Sequence, residues 1–253
     1  MKMRMAVPVL IVAAALLLPG CAPERESSPL GAGQTPQRFE KEVRKTLRLN
    51  YLLYLPPQYG NSKEQWPLML FLHGAGEKGD DLEKVTVHGP PKLVAKEGKT
   101  FPFVIASPQC PDENSWTDEL RLDALDGMLN ELVSRYRIDK DRIYVTGLSM
   151  GGFATWALAF RYPDRFAAIA PICGRGNPAK VDRIKHLPVW VFHGGKDPAV
   201  PLNNSQVMVD ALKKLGSNVK FTVYPEAGHD SWTETYNNPA FYEWLLQQRR
   251  GAQ

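Results

Sequence analysis

The feature of this 253-residue chain that most directly implies chemistry is a serine set between two glycines. Residues 141–153 read Asp-Arg-Ile-Tyr-Val-Thr-Gly-Leu-Ser-Met-Gly-Gly-Phe, which puts Gly147, Ser149 and Gly151 in Gly-x-Ser-x-Gly spacing. The β-branched and aromatic run Ile143, Tyr144 and Val145 predicts a strand before the motif, and residues 152–158 predict a buried helix after it. A sharp turn between the two holds one side chain where neither element would bury it, and glycines let the backbone pass closely on both sides. Ser149 is therefore the candidate nucleophile; for the five-residue pattern taken alone, a plain Gly-Ser turn is the alternative. A serine hydroxyl attacks poorly at neutral pH unless a base takes its proton and a third group holds that base in the right tautomer. Five histidines could supply the base: His73, His88, His186, His193 and His229. Neither Cys110 nor Cys173 lies on a Gly-x-Cys-x-Gly turn, no Cys/His spacing resembles a metal site, and no cofactor is implied.

The elements that must position these groups follow from periodicity. Residues 39–44 and 47–55 predict two antiparallel strands, the second ending at Pro56-Pro57. Residues 67–72 and 103–107 are continuous apolar runs, as expected of strands covered on both faces, and 143–145, 167–172, 189–192 and 219–223 supply four more. Between them, Leu120, Leu122, Leu125, Met128, Leu129, Leu132 and Val133 recur at helical spacing with Asp123, Asp126 and Glu131 facing outward. Residues 205–215 repeat the pattern and stop at Gly216, a suitable left-handed cap, and 239–250 predict a closing helix. The fold class is α/β: an eight-stranded, mostly parallel sheet with helices on both faces, in one domain over residues 38–253.

This strand order, with the serine turn after the fifth strand, resembles the α/β-hydrolase fold. Within it the chain is most similar to small secreted esterases and "predicted peptidases" related to dienelactone hydrolases, feruloyl esterases and prolyl oligopeptidase catalytic domains. The residues that carry the likeness are the block from Phe71 to Asp80, the block from Gly147 to Gly152, His193-Gly194-Gly195-Lys196-Asp197, and Ala227-Gly228-His229-Asp230-Ser231-Trp232. The resemblance implies the chain order Ser, acid, His, so the base is His229, in the loop after the last strand. It implies Asp197 as the acid, across the Gly194-Gly195 turn; Asp230 is the competitor, but adjacent side chains diverge in most backbone conformations. His73 and His193, each at a strand end, are expected to shape loops, and His186 to lie at the surface. Oxyanion donors are expected from the backbone N–H of Met150, at the helix start, and of Ala75, in the loop after the third strand. Trp116 and Trp232 are candidate apolar walls for the substrate, with packing under loops as the alternative, and Glu77 and Asp80 read as helix-start carboxylates.

The resembled fold also separates the strands bearing Cys110 and Cys173 by two others. That is about 14 Å at ~4.8 Å per strand, too far for a disulfide, so two free thiols are expected. The connection at 173–188, where many such enzymes insert a lid, holds barely one short helix, so the site should be shallow and open. These features point to a serine hydrolase that cleaves small-molecule or polysaccharide-linked carboxylic esters through an acyl-enzyme. A peptidase of prolyl oligopeptidase type and an inactive binding module are the alternatives.

Residues 1–20 read as a signal peptide, with Lys2 and Arg4 before an apolar stretch at 6–18. Leu18-Pro19-Gly20-Cys21 is similar to a bacterial lipoprotein box, with Pro19 departing from its usual pattern; Cys21 would then be acylated, and Ala22 suggests the outer membrane. Residues 22–37, rich in Pro, Gly, Ser and Glu, read as a tether, so membrane contact is expected through the anchor alone. The formal charge of +4 falls to about +2 without the leader, which predicts no nucleic-acid partner.

Overall fold

A computed structural model describes residues 38–42 and 44–251; the predicted signal peptide, Cys21 and the tether lie outside the described residues. The chain divides into two units, residues 1–44 and 45–253. The described part of the first carries surface ion pairs between Arg38 and Glu40 and between Arg44 and Glu42, and no strand. The strand expected at 39–44 is therefore absent among the described residues, for a reason visible in its spacing. Lys41 stands between Phe39 and Val43 on the one face they would share, and Glu40, Glu42 and Arg44 would make the other face wholly charged, so neither offers a continuous apolar surface.

The second unit contains a seven-stranded sheet rather than the eight-stranded one expected. Its strands are β1 Tyr51–Tyr54, β2 Trp66–Leu72, β3 Val104–Pro108, β4 Ile138–Leu148, β5 Ala168–Ile172, β6 Val189–Gly194 and β7 Val219–Tyr224, in spatial order β1-β3-β2-β4-β5-β6-β7. β1 runs antiparallel to β3 and every other pairing is parallel. The strand expected at 47–55 is cut to four residues. The helices are α1 Gly89–Glu97, α2 Glu119–Arg135, α3 Met150–Arg161, α4 Asn203–Lys214, α5 Trp232–Asn237 and α6 Pro239–Leu246.

Alternation along β2 explains why helices are needed on both faces. Leu68, Leu70 and Leu72 enter one core with Val145, Ile169 and Val191, covered by α2, α3 and α4. Met69 and Phe71 enter the other with Tyr144, Ala168 and Phe192, covered by α1, α5 and α6. Each of these strand residues is fully buried, which is why the runs read as uniformly apolar. Cys110 and Cys173 follow β3 and β5, with β2 and β4 between those strands, and both are free. The β5–β6 connection holds one short 3-10 helix, Pro178–Ile184, as expected.

Candidate active site

Ser149 links β4 to α3 at φ 51° and ψ −115°, a left-handed backbone setting that a non-glycine residue adopts only where its surroundings impose it. The turn is pinned on both sides: the Ser149 N–H donates to the Ile172 carbonyl oxygen at 3.0 Å, and the Phe153 N–H donates to the Ser149 carbonyl oxygen at 2.9 Å. The side chain is left partly exposed at the C-terminal edge of the sheet. There the loops after β6 and β7 meet it. Ser149 Oγ–H donates to His229 Nε2 at 3.0 Å, and His229 Nδ1–H donates to Asp197 Oδ2 at 2.8 Å.

Asp197 is fixed independently of the histidine, because its Oδ1 accepts the N–H groups of Ala199 and Val200, each at 2.9 Å. Burial pushes its carboxyl group up, but the hydrogen bond from His229 and those two amides outweigh burial and hold it below the usual carboxylate range. It is therefore ionised at neutral pH and favours the tautomer with hydrogen on Nδ1, leaving Nε2 free to accept the serine proton. Asp230, the competing acid, spends its carboxylate on the Thr233 N–H and hydroxyl, each at 2.9 Å, at the start of α5.

The loop after β2 lies against this turn. A side chain at Gly74 would come within 2.8 Å of the Leu148 Cδ1, one residue before Ser149. His73 is buried; its Nδ1–H donates to the Gly74 carbonyl oxygen at 2.6 Å and its Nε2 accepts the Cys110 N–H at 3.0 Å. Because the peptide is planar and trans, holding the Gly74 carbonyl also sets the direction of the Ala75 N–H. Burial pushes His73 down to about 4, partly opposed by its bond to Gly74. A histidine ordinarily titrates near 6.5, so the unfolded chain takes up a proton that the folded one refuses. The contribution of His73 to stability is complete above pH 6.5 and drains away as pH falls from 6.5 to 4, on the order of 3 kcal/mol in total. Urea midpoints across that interval should fall in the native protein and flatten in His73→Asn; parallel profiles would contradict the buried neutral imidazole.

With this geometry in place, comparison with known proteins gives the lineage. The model of the dienelactone hydrolase family matches residues 112–242, just over half of the chain. The chain belongs to the dienelactone hydrolase family. Among curated relatives of this family member is a protein named as an esterase, NocK, from Nocardia uniformis subsp. tsuyamanensis, 28% identical over 162 residues, covering 60% of this chain and 46% of that protein. Among solved structures, a thermostable esterase superposes with a TM-score of 0.72 at 37% identity, covering 83% of this chain and 62% of that one. A ferulic acid esterase superposes with a TM-score of 0.58 at 19% identity, covering 77% of this chain and 92% of that one, a likeness of fold alone. The chain spans under half the length of the curated relatives it first matches.

In this dienelactone hydrolase family member, other residues singled out in the sequence fall into different places. Trp116 is fully buried, its indole N–H donates to the His73 carbonyl oxygen at 3.2 Å, and its ring lies 5.2 Å from the His73 ring. It packs under the loop and does not wall a cleft, because a large flat ring is buried most favourably with its one polar atom satisfied. Trp232 is nearly buried and stands edge-on between His229, at 5.2 Å, and His88, at 5.3 Å, so it braces the His229 ring. His193 donates from Nε2 to the Val200 carbonyl oxygen at 2.8 Å, the expected loop role, and His186 lies at the surface beside Pro163 and Asp164.

Two neighbours of the site were not legible in the sequence. Glu77 is buried, with carboxylate oxygens 4.0 Å from His73 and 3.8 Å from His88. Cys173 sits in left-handed backbone at φ 40°, and its Sγ accepts the Ser149 N–H at 3.3 Å. Strand register puts it there: Leu148 pairs with Ile172, so the next residue of each strand meets the other. Ligand atoms of Cys173, Asp197 and His229 lie within 4.8 Å of one another. As a donor set for a metal they are poorly suited, since burial pushes the thiol up to about 12 and the other two groups are hydrogen-bonded to each other.

Proposed function

We propose that the protein is a serine hydrolase that cleaves carboxylic esters through an acyl-enzyme. The observation that carries this reading is the continuous relay from Ser149 Oγ through His229 to Asp197, at 3.0 and 2.8 Å. In the acylation step His229 Nε2 takes the Ser149 proton as Oγ bonds to the ester carbon, and the imidazolium formed is stabilised by Asp197. The proton then passes to the departing alcohol, and water enters by the same route to release the acid. The negative oxygen of each tetrahedral intermediate needs preorganised donors, and the N–H groups of Met150 and Ala75 suit it. Met150 opens α3, where the first amides have no partner within the helix, and Ala75 opens a short 3-10 turn whose preceding carbonyl is held away by His73.

Esters on soluble or polymer-borne substrates, such as feruloyl or acetyl groups on polysaccharide, suit a site whose β5–β6 connection forms no lid. Export and acyl anchoring at Cys21 belong to the same proposal. A fluorophosphonate probe should label Ser149, and a panel of nitrophenyl esters beside peptide nitroanilides should show turnover of the esters. Failure to label sinks the hydrolase reading, and faster cleavage of the amides sinks the esterase reading. In cell fractions, Cys21→Ser should move the activity out of the membrane; unchanged membrane association would remove the anchor.

A further inference from the structure

We infer that the groove along the outer side of α3 is a subsite for the carboxylates of an acidic saccharide chain bearing the scissile ester. This rests on the esterase reading and narrows its substrate class. The groove has a volume of about 410 Å³, within the range that holds small ligands, and lies between the start of α2, α3 and the β5–β6 connection. Its near end lies one helical turn from Ser149, which is not itself in the lining. Phe153, one turn beyond Ser149 and about 6 Å along the helix, forms its near wall, and Arg175 stands two residues past Cys173, whose sulfur touches the Ser149 amide. From Phe153 to Phe160 the groove follows α3 for about 10 Å, a length suited to a chain of rings more than to a single small ester.

Its charge is one-sided. Arg175, Lys180 and Arg183 line it, all exposed, and none has a carboxylate within 4 Å among the described residues. Arg161 is already paired with Asp123 at 2.6 Å, and Glu119 is the one acidic residue in the lining. The Arg175 guanidinium is held 5.1 Å over the Phe153 ring, which orients it without neutralising it. Trp156 contributes to the wall, and its fully buried indole N–H has no acceptor among the described residues. Unpaired cations of this kind suit carboxylates, which arginine binds through paired N–H donors. They are poor company for a hydrocarbon acyl chain. The polar Thr117 and Asn177 suit sugar hydroxyls.

The test is equilibrium binding, which does not depend on turnover. Trigalacturonate titrated calorimetrically into the full chain should bind, the neutral trisaccharide maltotriose should bind at least about tenfold more weakly, and the Lys180→Ala/Arg183→Ala variant should lose about tenfold in affinity for trigalacturonate. Lys213→Ala/Lys214→Ala, which removes the same charge from α4, should bind trigalacturonate as the native protein does. Equal affinity for the charged and neutral trisaccharides, no binding up to ~10 mM, or equal losses in both double variants would overturn the assignment. Tighter binding of a short single-stranded DNA, lost in the same variant, would replace the saccharide by a nucleic acid. Fluorophosphonate labelling of Ser149 is read separately, so absence of binding with labelling intact discards the subsite and leaves the esterase.

Discussion

Asp197→Asn should lower kcat for a nitrophenyl ester by roughly 10⁴-fold, about 5 kcal/mol of transition-state stabilisation, while the protein stays folded. The substitution preserves shape, and the new Oδ1 can still accept the Ala199 and Val200 amides that hold the native carboxylate at 2.9 Å. What changes is the atom facing His229 Nδ1, now an amide donor where an acceptor stood at 2.8 Å. The imidazole must then carry its proton on Nε2, and that nitrogen can no longer take the one on Ser149. Ser149→Ala should cost more, roughly 10⁶-fold, and adding Asp197→Asn to it should cost little further, because groups acting as one unit are lost together. Asp230→Asn supplies the contrast: that carboxylate caps Thr233, so the change should cost up to about 1 kcal/mol of stability and little activity. If Asp197→Asn retained more than about a tenth of native turnover, the acid would have to be sought elsewhere.

That Ser149, His229 and Asp197 meet was legible in sequence because each follows a strand, and strand ends are where apolar runs stop. β5 is buried throughout and β2 and β6 at all but one residue each, Trp66 and Trp190, so their sequences are apolar almost without interruption and the loops that follow them are sharply marked. The strand, turn and helix around Ser149 could be read because the backbone approaches at Gly147 and Gly151 tolerate only glycine. Where burial is partial, legibility fails. Over residues 39–44 the one face that could be apolar, Phe39 and Val43, is interrupted by Lys41, and the other is entirely charged, so nothing there holds a strand against a core. Trp116 and Trp232 have equivalent sequence surroundings, each in a loop after a strand, yet one is fully buried on His73 and the other braces His229. Cys173 could not have been placed at all without the pairing of Leu148 with Ile172, since register is a property of two strands and is written in neither.

Gly151→Ala should damage both the fold and the activity, and the reason is proximity, since the backbone angle at this residue is ordinary. A Cβ at 151 would stand 2.8 Å from the His73 carbonyl oxygen and closer still to that of Leu72. Both obstacles are main chain, so no rotamer change relieves them; β2 and the start of α3 must move apart. Overpacking of this kind costs roughly 1–3 kcal/mol, and rigid backbone on both sides puts this case at the upper end. The displacement also falls on the segment that carries His73, Gly74 and Ala75, so oxyanion donors spaced to suit the nucleophile would be separated from it. Losing one such donor is worth roughly 10²–10³-fold in kcat. Gly216→Ala separates this effect from simple backbone strain. Gly216 has φ 70° and nothing within 4 Å of a new Cβ, so alanine there should cost about 1–2 kcal/mol and leave kcat unchanged. The pair is read by urea midpoints and ester turnover side by side. Because both substitutions destabilise, only turnover distinguishes them, and a Gly151→Ala protein as active as Gly216→Ala would mean that the loop after β2 does not serve the site.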